Sequence, residues 1–196
     1  MANPIRFWGT VAAVKPRIVL TKFGEDTAAK CHGHLLVLDG TFGPDGNPPN
    51  AGRFTVALGP ATQTQRGLAP GDLLRGDAHL VPEGVPDTPA DLYRVGALRV
   101  VARQGDPGTP PRPVPDPPRT DLPLTPEAAE TAPRRPLAPN NLLAEDGVCV
   151  PCPYGVVVPV VRLSDPRDYH NGRWSRVPAC LGPMDCPYYA AAAPTS

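Results

Sequence analysis

The chain has 196 residues, 30 of them Pro and 19 Gly, with 41% apolar residues and 19 basic against 19 acidic side chains. Pro and Gly at this level touch the low-complexity range, but 12 of the prolines fall within 104–140, so the excess marks one segment. The composition excludes collagen, coiled coil and a disulfide mini-protein, and leaves enough chain for one domain with a small appendage.

No apolar run approaches the roughly 18–20 residues of a membrane helix, so no membrane partner is expected. The first residues lack a signal peptide's apolar stretch, and a cytoplasmic location is the expectation. A net charge of zero is unusual for a nucleic-acid binder, because neutralising phosphates supplies much of that affinity. One local asymmetry stands out: Arg6, Lys15, Arg17 and Lys22 precede any acid.

Residues 1–103 read as all-β. The run 5–22 is rich in β-branched residues and predicts a long strand, with Gly9 permitting a bend or bulge and Pro16 a kink or edge. The next strand is expected over 34–39, ending in the turn-rich stretch 40–52. Residues 53–58 place their large apolar side chains at alternate positions and predict a third. A short helix closed by a glycine is expected over 60–68, then the Pro70-Gly71-Asp72 turn. Strands over 73–81 and Leu92–Ala102 complete five. Five strands with a long bent first one and a helix between the third and fourth fit the order of an OB-like barrel. Another five-stranded barrel, such as an SH3-like one, or a sandwich would share these features.

Segment 104–140 is a proline-rich linker, expected to be extended or disordered because each Pro fixes φ and lacks a donor. Its Pro110-Pro111-Arg112-Pro113 could dock an SH3-like or WW-like domain, but PxxP matches are frequent by chance in such a segment. Residues 190–196 read as a disordered tail.

Between these, 141–189 holds four of the five cysteines: Cys149 and Cys152 as C-x₂-C, then Cys180 and Cys186 as C-x₅-C. Two β-like runs separate the pairs, Gly155–Leu163 and 173–179, so folding that hairpin back brings the pairs together. Four thiolates could then hold structural Zn²⁺ in a zinc-ribbon-like β-hairpin module, the metal supplying much of its folding free energy. Two disulfides, a redox pair and an iron–sulfur cluster are the alternatives, and His170 is a substitute ligand for the loose second pair. Cys31, beside His32 and His34, reads as a small apolar residue rather than as part of a second metal site.

The fold class is therefore mainly β: an OB-like barrel and a zinc-ribbon-like module joined by a proline-rich linker. Trp8-Gly9, Lys15-Pro16-Arg17-Ile18, the C-x₂-C and the run from Cys180 to Tyr188 resemble a family of small bacterial proteins. That resemblance implies this architecture and no activity. In part the architecture is also similar to the OB-plus-zinc-ribbon proteins associated with acyl-CoA thiolases, where the ribbon precedes the barrel.

Function is read as binding rather than catalysis, since no G-x-S-x-G, H-E-x-x-H or P-loop occurs. Single-stranded DNA or RNA is the expected partner, held by cations along the phosphates and aromatic side chains under the bases. The cations are Arg6, Lys15, Arg17, Lys22, Arg94 and Arg99, and the main aromatic residue is Trp8. Phe7, Phe23, Phe54 and Tyr93 are further aromatic candidates, though strand aromatics usually serve a core. Arg173, Trp174 and Arg176 could extend the surface. A protein partner or a place in a larger assembly is the alternative.

Overall fold

In a computed structural model the described residues are 3–44, 50–85, 87–105, 142–143, 155–169, 171–180 and 189–190. Among them the protein is mainly β. Strands β1 (Ile5–Phe23), β2 (Asp26–Gly43), β3 (Asn50–Leu58), β4 (Leu73–Leu80) and β5 (Leu92–Ala102) are followed by β6 (Leu142–Leu143), β7 (Gly155–Leu163), β8 (Arg173–Cys180) and β9 (Tyr189–Ala190). Helix α1 (Pro60–Arg66) lies between β3 and β4. Seven strands form one sheet in the order β2-β3-β5-β4-β1-β7-β8, and a β2–β1 pairing makes a partial ring through five of them. Apart from its first two residues the linker 104–140 lies outside the described residues, as does the tail beyond Ala190.

The chain divides into two compact units interleaved in sequence. The first holds Met1–Val14, Gly33–Val85 and Ala90–Pro117; the second holds Lys15–His32, Pro86–Pro89 and Pro118–Ser196. Both β1 and β2 are therefore split between units.

In the first unit, alternation in β1 sends Phe7 inward and Arg6 and Trp8 outward. Phe7, Val11, Leu36, Leu38, Phe54 and Leu74 are among the residues of one core, with the Phe7 and Phe54 rings edge to face at 6.4 Å. Phe7 and Phe54, candidates for base stacking from sequence, are thus core residues. β1 runs antiparallel to β4 with Phe7 opposite Gly76, and a single parallel pair, Val56 with Leu92, joins β3 to β5.

The β1 and β2 backbones meet at two glycines. A Cβ on Gly40 would collide with the Trp8 carbonyl oxygen, and one on Gly9 would lie 3.0 Å from the Asp39 carbonyl oxygen. Where the sequence predicts a bend or bulge, Gly9 instead serves a close approach of two strands.

Below the ring, α1 ends at Gly67, whose φ of 54° lets its N–H reach the Gln63 carbonyl at 2.8 Å. The following turn delivers a buried carboxylate, Asp72. It accepts from Arg103 Nη1 at 2.7 Å, Ala69 N at 3.1 Å and Gln104 N at 3.2 Å. Arg103 also donates to the Gly67 and Arg66 carbonyls, so one guanidinium ties the helix C-terminus to the start of β4 and the end of β5.

In the second unit, Leu20–Phe23 of β1 run parallel to Val160–Leu163 of β7, and β8 completes the sheet antiparallel to β7. Its core is small: Leu20, Val156, Val158, Val160 and Ala179, with Val177 packed against them. Trp174 lies edge to face with Tyr169 at 5.4 Å, covering rather than presenting its ring.

Gly40→Ala is expected to cost about 2–3 kcal/mol, the range for a methyl forced against fixed neighbours. Gly96→Ala, where an added methyl meets nothing within 4 Å, should stay within about 0.5 kcal/mol. Urea unfolding of both variants checks the pair, and equal stabilities would show that β1 and β2 do not meet at these glycines.

Candidate nucleic-acid interface

The outward positions of β1, β4 and β5 form a continuous face on the first unit. Trp8 stands opposite Arg75, and Arg75 opposite Arg99, so one cross-strand row holds an indole and two guanidinium groups. Trp8 is 43% exposed, unusual for a strand tryptophan, and both arginines are exposed. In the next row Arg6 stands opposite Asp77, its Nε 3.7 Å from the carboxylate. Both groups are well exposed, and such a contact contributes at most some tenths of a kcal/mol. Beyond a β-bulge His79 pairs with Tyr93, edge to face at 6.5 Å, and the Arg94 guanidinium lies 5.1 Å from the Tyr93 ring centre. Arg94 has φ 51°, a left-handed value that places it in the irregular stretch of β5 rather than in the ladder.

Cations and aromatic rings therefore share one face across three strands. Like charges directly opposite weaken a sheet by about 0.2–1 kcal/mol, so the Arg75–Arg99 pair is a cost to the fold. An exposed indole flanked by guanidinium groups can stack on a base while the arginines hold its phosphates.

The structure separates the other sequence-derived cations from this face. Lys15 is not a surface cation: it is only 7% exposed, and its Nζ donates to the Gly155 carbonyl at 2.6 Å. Arg17 is half-buried and donates from Nη2 to the His32 carbonyl at 2.7 Å. Its Nε is buried with no hydrogen-bond partner, and burial lowers its pKa, opposed by nearby Asp87 and Cys31. His32 is likewise held below its ordinary pKa, first by burial and then by the Arg17 and Lys30 charges. Lys22 is half-buried in the second unit, where it stands opposite Arg162. Of the six expected cations, this face keeps Arg6, Arg94 and Arg99.

Arg75 and His79 escaped the sequence reading. The alternation of 73–80, with Leu74, Gly76 and Ala78 inward, carried the signal that places them outward. Phe23 is exposed at the end of β1, and Tyr93 is part of the face.

Of the four candidate metal ligands, Cys149, Cys152 and Cys186 lie outside the described residues, as does His170, and Cys180 ends β8. Gly155 stands opposite Cys180, and Leu143 stands opposite Tyr189. Among the described residues no group of three or more His, Cys, Asp or Glu could hold a metal ion. Cys31 is exposed rather than buried, and not disulfide-bonded.

Comparison with protein-family models, with curated proteins and with solved structures gave no match.

Lys15→Ala is expected to cost about 2 kcal/mol, in the range for a hydrogen bond from a charged group. Oligonucleotide affinity of the folded fraction should not change. Thermal unfolding and an anisotropy titration of the same sample separate these effects; weaker binding at full stability would return Lys15 to the interface.

Proposed function

We propose that this protein is a non-catalytic binder of single-stranded nucleic acid. The observation that carries the reading is the exposed Trp8 in register with Arg75 and Arg99. The partial ring supports an OB-type barrel as the scaffold: its strands follow one another as β1-β2-β3-β5-β4, with α1 between β3 and β4. Strands held by a ring present such a row more rigidly than a loop would.

Cys149, Cys152, Cys180 and Cys186 belong in the same proposal as ligands of a structural Zn²⁺. Support comes from the donor set, four thiolates suited to tetrahedral zinc, and from the pairing of Gly155 with Cys180 and of Leu143 with Tyr189. A cytoplasmic, reducing setting would keep those thiols available. The zinc acts on folding here, with no part in any reaction.

A second reading, docking of a protein partner, is favoured by one observation: Leu80 is 54% exposed on β4 and Val101 45% on β5.

Binding of a labelled single-stranded oligonucleotide tests the primary reading by fluorescence anisotropy. Trp8→Ala should weaken binding about tenfold or more, since base stacking contributes roughly 1–3 kcal/mol. Absence of binding by the wild type at low salt would move the proposal to a protein partner. For the metal, Cys149→Ser should lose the zinc that the wild type carries at one ion per chain. Stoichiometric zinc retained in that variant would show that the ligand set is different.

A further inference from the structure

We infer that Lys22, Arg162 and Arg173 form a second phosphodiester-binding strip, running across β1, β7 and β8 in the second unit. This rests on the single-stranded nucleic-acid reading above, and it adds a site outside the Trp8 face. The β1–β7 register sets Lys22 opposite Arg162, and the β7–β8 register sets Arg173 opposite Arg162. Cross-strand partners share a face, and strands lie about 4.8 Å apart, so the three cations form a line roughly 10 Å long.

Two features mark this line as more than a solvated edge. First, it replaces apolar residues in the pattern. One step along the same face stand Leu20, Val160 and Ser175, and the first two are buried in the core of the unit. On β1 and β7 the face turns from core to positive charge within two residues. Second, the charges repel one another, which weakens the ladder, and no ion pair among the described residues offsets it. The acids of the adjoining loop are engaged locally: Asp165 accepts from the Arg167 N–H at 2.8 Å, and Asp168 from Asn171 Nδ2 at 2.7 Å. Glu25 lies in the turn after Lys22, and Asp26 opens β2.

A row of single cations, one per strand, matches a chain with one negative charge per repeat. Arg162 and Arg173 can each fork onto phosphate oxygens, and the exposed Ser175 hydroxyl supplies a neutral donor on the same face. A membrane surface fits less well, because interfacial binding needs an apolar side chain beside the charges to insert. Phe23 is the exposed apolar neighbour, and strand alternation puts it on the opposite face from Lys22.

The test uses the full-length protein, a labelled oligo-dT strand and a salt series. Each phosphate neutralised on a single strand contributes about 0.7 to the slope of log K against log salt. R162Q/R173Q should therefore bind with a slope shallower by about 1.4, while R162K/R173K should restore the wild-type slope. A strip with only a structural role would leave the slope unchanged, because removing its charge affects folding rather than counterion release. Wild-type binding with an unchanged slope in R162Q/R173Q overturns this site and leaves the Trp8 reading intact. Failure of the wild type to bind at low salt overturns both. Loss of slope on R75Q/R99Q alone, with R162Q/R173Q unaffected, would confine all phosphate contact to the first unit and overturn the inference.

Discussion

At about 3.3 Å per residue, a 19-residue strand runs roughly 60 Å, more than one small core can cover. β1 meets that constraint by changing partners along its length. Ile5–Thr10 pair with β4, and Leu20–Phe23 pair with β7. Each half is then amphipathic against a different core, Phe7 and Val11 on one and Leu20 on the other. The division of the chain into two units follows from that change, because β1 and β2 each contribute residues to both. The candidate surfaces follow as well: the first half of β1 supplies Arg6 and Trp8, and the second supplies Lys22.

Local pattern recovered the elements well, and long-range context decided the sites. Leu92–Ala102 and Gly155–Leu163 have the bounds that apolar alternation and turn residues suggest. The second strand is different. It starts at Asp26 rather than 34, through Asp26-Thr27-Ala28-Ala29-Lys30, residues with little intrinsic preference for a strand. What makes them a strand is the turn at Gly24, with φ 56°, returning the chain along β1. A preference scale has no access to a partner strand.

The same limit explains the cations. Alternation says which side of a strand a residue occupies, but not what covers that side. Lys15 looks like Arg6 in the sequence, a lone cation among apolar residues, yet Gly155 lies over it and accepts its proton donor. Arg75 looks incidental until β1 and β5 flank it with Trp8 and Arg99. In the cysteine region the spacing suggested that two pairs converge. The ladders pair Gly155 with Cys180 and Leu143 with Tyr189, while Cys149, Cys152 and Cys186 lie outside the described residues.

The parallel pairing of β1 with β7 also sets an order of events during synthesis. Lys15 leaves the ribosome 140 residues ahead of the carbonyl it will bond. At about 5–20 residues per second that is a wait of roughly 7–28 s, during which the second half of β1 has no β7 to cover it. The proline-rich segment within that span adds little to the eventual closure. Loop entropy grows only with the logarithm of length, so 37 residues in 140 amount to about 0.3 kcal/mol. The residues of the first unit can gather while the chain is still growing. The second unit cannot, and its N-terminal strand segment is the one a nascent-chain chaperone would meet.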